Sequence, residues 1–187
     1  MTFIPQTVLL KNGQEITLRP ARVSDALPLI QTIKAYLADS EYIPQSPEEF
    51  TMTLEQEENW IQSFLEKDNS LLIVAEFEGR IIGNIDISGH HRSMMQHTAV
   101  IGMGILSDWR NSGLGTQLMQ HGIRWAKENP ILELLWLQVY TENKMAIALY
   151  KKMGFLENGI IKNFFNHSNR YYDNLTMSLS VKQNTIL

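Results

Sequence analysis

The chain has no cysteine. That absence excludes thiol nucleophiles, thiolate-ligated zinc and a disulfide framework, and nothing else in the sequence calls for an oxidising compartment. Concentrated basic charge is missing too: 16 Lys and Arg against 20 Asp and Glu leave a net charge of −4, so no nucleic-acid partner is expected. No apolar run approaches the length of a membrane span, and the first ten residues hold one short apolar patch broken by Pro5, with no basic leader. No membrane partner is expected, and the expected compartment is the cytoplasm. Internal repeats, low-complexity tracts and Pro/Gly/Ser-rich linkers are also lacking. What remains is a chain of 187 residues with 44% apolar content, expected to form one domain over 1–187. Its core, from about 15 to 181, should close without disulfides or a structural metal.

Residues 15–22 alternate Ile16 and Leu18 before Pro20 and read as a strand ending at the proline. Ser24 and Asp25 then open a helix carrying Leu27, Leu29, Ile30, Ile33 and Leu37, followed by a polar loop over 39–47. A second helix is expected over 54–65, with Trp60, Ile61 and Phe64 on its apolar side. From Leu71 the period becomes that of a hairpin turning at Gly79, and a third strand follows over 97–106. Helical spacing returns over 113–127, and Pro130 ends it. Residues 132–140 are apolar almost throughout and suit a strand covered on both faces. A short helix over 143–153 and strands over 155–162 and 170–180 complete the chain. The pattern predicts a mixed α/β sheet: antiparallel hairpins first, then a strand-helix-strand crossover that pairs in parallel.

The crossover contains Arg110, Asn111, Ser112, Gly113, Leu114, Gly115 and Thr116. A strand running through a glycine-bearing turn into a helix converges free N–H groups on one point, which attracts phosphate. Gly113 and Gly115 allow close backbone approach, and Arg110 adds a charge-assisted contact. A nucleoside-triphosphate loop would need Gly-Lys-Ser/Thr where Gly115-Thr116-Gln117 stands, and a dinucleotide fingerprint would need a small residue at Leu118. A second constellation follows in the next helix: Asn143 and Tyr150, seven residues apart, project from one face about 10 Å from each other. Separately, these features also read as turn glycines, an N-cap and a half-buried aromatic.

Together, Arg110-x-x-Gly113-x-Gly115 and Asn143-x-x-Ala146-x-x-x-Tyr150-x-x-x-Gly154-Phe155 resemble the GNAT acetyltransferase superfamily. The resemblance begins with the segment from Ile16 to Ala21 and is most specific over 102–155. Ile101-Gly102-Met103-Gly104 and the stretch from Tyr171 to Met177 resemble its bacterial branch, which acetylates amino acids, small amines or protein N-termini. The resemblance implies acetyl-CoA as co-substrate, a single-domain GNAT fold with a splayed parallel strand pair at its centre, and no metal. It places the pyrophosphate on 111–116 beside Arg110, and the pantetheine along Met103, Gly104 and Ile105, like an added strand. Gly102 and Gly104 suit such a close approach. Asn143 would bond the pantetheine, and Tyr150 would act as general acid toward the departing thiolate.

The chain departs from the family at the base. Glutamates found in relatives fall at Ala99 and Gln138 here, neither of which accepts a proton. His97, Asp86 and an ordered-water relay remain, His97 having a suitable ordinary pKa. The acceptor is expected to be an amine-bearing small molecule or a peptide N-terminus, selected by the loop around 42–47 and by Tyr140, Phe164, Phe165, Tyr171 and Tyr172. Those aromatics serve equally as core or homodimer packing. An acyl-CoA-binding sensor without catalysis is the alternative that the absent glutamates leave open.

Overall fold

The structure, a computed structural model, describes residues 2–167 and 169–182. Among these residues eight strands form one sheet: β1 (Gln6–Leu9), β2 (Glu15–Pro20), β3 (Leu71–Phe77), β4 (Arg80–Gly89), β5 (Thr98–Ile105), β6 (Leu134–Tyr140), β7 (Leu156–His167) and β8 (Arg170–Ser180). Their spatial order is β1-β2-β3-β4-β5-β6-β8-β7, and β5–β6 alone among these neighbours is parallel. Among the described residues four α-helices accompany them: α1 (Ala26–Ala38), α2 (Leu54–Glu66), α3 (Leu114–Glu128) and α4 (Lys144–Lys152). The expected mixed sheet and parallel crossover are present.

Strand alternation sorts the apolar side chains into two layers. Ile85 and Ile87 of β4 join Ala99, Ile101, Leu135, Leu137 and Met177 beneath α3. Leu72 and Val74 of β3 point the other way, against Leu29, Ile33, Tyr36, Ile61 and Phe64 of α1 and α2. The corner from β2 into α1 is tied by a buried network. Arg19 donates to both carboxylate oxygens of Asp25 at 2.6 and 2.9 Å and to Glu76 at 2.7 Å, while the Arg22 N–H donates to Asp25 at 2.7 Å. Thr53 and Gln56 close a reciprocal capping box at the start of α2.

Two stretches depart from expectation. The pattern predicts no strand over 6–9, where β1 lies, and the core reaches back to Phe3 and Leu10, which are buried. Only four residues long and half exposed, β1 offers too little alternation to register. The run in β6 is not covered on both faces: Leu135, Leu137 and Val139 are buried under α3, but Trp136 is half-buried and Gln138 exposed. Among the described residues no helix is long and apolar enough to cross a membrane.

Candidate active site

The chain leaves β5 at Ile105, passes one 3-10 turn (Ser107–Trp109) and enters α3 through Gly113, whose φ of 95° is left-handed. Gly113 caps α3 without a side-chain acceptor. The Leu114 N–H reaches Ser112 Oγ at 3.3 Å, and Ser112 Oγ donates to the Trp109 carbonyl at 2.6 Å. The N–H groups of Gly115 and Thr116, in the first turn, have no intrahelical acceptor. A helix of 15 residues therefore presents its positive end to this cradle.

Arg110 braces the turn: its guanidinium donates to the Ile105 carbonyl at 3.2 Å and the Asp39 carbonyl at 3.0 Å. Lys11, which no motif indicated, lies beside the cradle. Its N–H donates to the Ser112 carbonyl at 2.9 Å, and a Cβ placed on Gly113 would lie 3.3 Å from its Cγ.

The two sequence constellations meet in space. Gly115 packs so closely that a Cβ there would sit 3.3 Å from Leu149 of α4 and 3.4 Å from Ile105 of β5. Asn143 caps α4, its Oδ1 accepting from the Ala146 N–H at 3.1 Å. The cap reading of Asn143 thus holds, and its amide nitrogen stays available to a ligand. Tyr150 packs near Phe155, ring centroids 6.0 Å apart, and burial pushes its phenol up to about 12.

Between these elements the sheet opens. β5 and β6 pair only at Thr98–Leu134, Ala99–Leu135 and Val100–Trp136. Beyond Val100 the β5 edge at Met103, Gly104 and Ile105 has no strand beside it. The glycines here also meet side chains of the protein itself. A Cβ on Gly104 would collide with the ring of Tyr36, and one on Gly102 would stand 2.5 Å from Asp86 Oδ1. Both approaches come from the face that carries α1.

On that face a cavity of about 910 Å³ opens between the loop after α1 and the ends of β6 and β7. Tyr140, Phe164 and Phe165 form one wall, and Asp39, Glu41 and Ile43 contribute to the other. Tyr140 stacks on Phe165 with centroids 3.8 Å apart, and Tyr42 and Tyr172 lean on Tyr140 at 5.8 and 5.7 Å. Tyr171 is exposed and stands outside the lining. Asn174, paired across the sheet with Tyr140, is fully buried with neither amide atom partnered.

The positions weighed for the base divide. Ala99 faces the α3 core with no exposure, while Gln138 is exposed on the cavity face. His97 precedes β5 at the closed end of the parallel pair, its carbonyl accepting from the N–H groups of Glu133 and Leu134. It lies five residues before Gly102, about 17 Å along the strand, and is not brought to the opening. Asp86 is, as the only acid on β4. Burial raises its carboxyl to about 6, against hydrogen bonds from Ser88 and the Gly102 backbone. Among the described residues no group of three or more His, Asp or Glu could hold a metal.

The chain is similar to known proteins of one family. Residues 33–155 match the family model described as acetyltransferase (GNAT) family. The L-amino acid N-acetyltransferase AaaT of Escherichia coli K12 is 27% identical over 135 residues, 70% of this chain and 83% of that protein. An N-alpha-acetyltransferase of Sulfurisphaera tokodaii is 26% identical over 163 residues, 83% of this chain and 89% of its own length. The crystal structure of a GNAT-family acetyltransferase from Streptococcus pneumoniae superposes with a TM-score of 0.86 at 25% identity, covering 89% of this chain and 99% of that one.

Proposed function

The chain belongs to the GNAT acetyltransferase family and is an acetyl-CoA-dependent N-acetyltransferase; from that premise we propose that its acceptor is a small primary amine, amino acids being the first class to test. The observation that carries the reading is the meeting of the α3 turn and α4, through Gly115 and Leu149, beside the open edge of β5. That arrangement suits one extended ligand: pyrophosphate on the N–H groups of the turn, with Lys11 adding charge, and pantetheine along 103–105. Asn143 and Tyr150 flank the reacting end.

The amine attacks the thioester carbon directly from the cavity side. Tyr150, with its pKa pushed up to about 12, keeps its proton at neutral pH and donates to the departing sulfur. The cavity's carboxylates favour a cationic amine in the approach. Its volume, near the upper end for small-ligand sites, also admits the N-terminus of a peptide. The likeness to an N-alpha-acetyltransferase makes that the second reading.

Thiol release from acetyl-CoA over free amino acids, polyamines and short peptides tests both. Turnover on amino acids supports the first reading, turnover confined to peptides the second. Acetyl-CoA binding with no turnover on any amine supports a sensor instead. Tyr150→Phe should lower kcat by about 10²-fold or more with little change in acetyl-CoA affinity.

A further inference from the structure

The parallel pairing of β5 with β6 stops at Val100 and Trp136, and the register sets Gly102, two residues further on, opposite Asp86 of β4. A pantetheine arm running back from the turn along 105–103 delivers its acyl end to the level of Gly102. Because Gly102 has no side chain, the Asp86 carboxylate lies across it, Oδ1 standing 2.5 Å from where a Cβ would be. Strands are about 4.8 Å apart, so this reach carries the carboxylate from β4 toward the opening beside β5. As a whole residue Asp86 is half-buried. Its facing groups are Tyr36 from α1, Glu57 from α2 beyond Tyr36, Ser88 on its own strand and the backbone of Gly102. The salt bridges among the described residues do not include it.

Resting on the transferase reading above, we propose that Asp86 is the proton acceptor for the attacking amine. The ammonium of the acceptor gives one proton to the carboxylate, leaving a neutral amine whose lone pair forms the N–C bond to the acyl carbon. The C–S bond then breaks, its electron pair staying on sulfur, which takes the proton of Tyr150. The second nitrogen proton leaves to solvent, solvent restores the phenol, and Asp86 releases its proton, so that one proton is produced per amide formed. A carboxyl near 6 is ionised at neutral pH and more basic than an ordinary aspartate.

The test compares wild type with Asp86→Asn and Asp86→Glu on the amine that wild type acetylates best, with acetyl-CoA affinity measured by titration. Expected for Asp86→Asn is a kcat loss of about 10²- to 10⁴-fold, disappearance of the acidic limb near pH 6 from the kcat/KM profile, and acetyl-CoA affinity within about threefold of wild type. Asp86→Glu should recover part of the rate and keep an acidic limb. An Asp86→Asn enzyme within threefold of wild type, or one that keeps the limb, overturns the proposal. So does loss of acetyl-CoA binding in both variants, which would make Asp86 structural. Wild type without turnover on any amine would sink the transferase reading and this one with it, whereas wild-type turnover indifferent to Asp86 sinks only this one.

Discussion

Gly102 and Asp86 stand opposite each other on β5 and β4, and the carboxylate of one occupies the space a side chain on the other would need. Gly102→Ala should therefore displace Asp86 while preserving the distant turn. The expected outcome is a fall in kcat of tenfold or more with acetyl-CoA affinity nearly unchanged, read from steady-state kinetics and a binding titration. Equal losses in both would contradict this, because they would mean that the β5 edge itself had moved.

The Lys11 side chain lies against Gly113, its Cγ 3.3 Å and its Cε 3.7 Å from where a Cβ there would stand. Lys11→Ala is expected to weaken CoA binding by about 3- to 10-fold at low salt, with a smaller difference in high salt, where exposed charges are screened. Calorimetric titration at two ionic strengths measures it. A salt-independent loss would point to disturbed packing and not to charge.

Glu57 is 1% exposed, its Oε1 lacks a partner, and burial pushes its carboxyl up to about 7. A raised folded-state value means that the protonated form suits the fold. This favourable contribution is complete below the unfolded value near 4.3 and is lost as pH rises through about 7. Glu57→Gln should match wild type near pH 4.5 and exceed it at pH 8 by on the order of 1–3 kcal/mol, a Tm gain of several degrees. Parallel Tm curves across that range would refute the account.

Asp25 behaves in the opposite sense. Burial alone would raise its carboxyl, but hydrogen bonds from Arg19 and the Arg22 N–H outweigh burial and hold it below the ordinary value. Its stabilising contribution is present above the unfolded value near 3.9 and is lost as pH falls through the folded one. Asp25→Asn should cost on the order of 2–4 kcal/mol at pH 7, and the gap to wild type should narrow below about pH 4. Urea unfolding at both pH values gives the comparison.

The crossover was legible because its signals are local: a β-period run, paired glycines, a return to helical spacing and an N-cap seven residues before a tyrosine. The β1 strand was not, since four half-exposed residues carry little pattern. Lys11 could not be read either, because its approach to Ser112 joins segments a hundred residues apart. Glu57 did leave a trace: it precedes Ile61 and Phe64 at spacings of four and seven, which places an acid on the buried stripe of α2. Gly102 and Gly104 suggested close approach by a ligand, and the crowding of them by Asp86 and Tyr36 within the protein left no mark in the sequence.

A crystal structure with acetyl-CoA tests the central claim most directly. It should show the pyrophosphate on the N–H groups at the start of α3, the pantetheine along Met103, Gly104 and Ile105, and the sulfur within hydrogen-bond reach of Tyr150. Pyrophosphate bound away from that turn, or a sulfur out of reach of Tyr150, would contradict it.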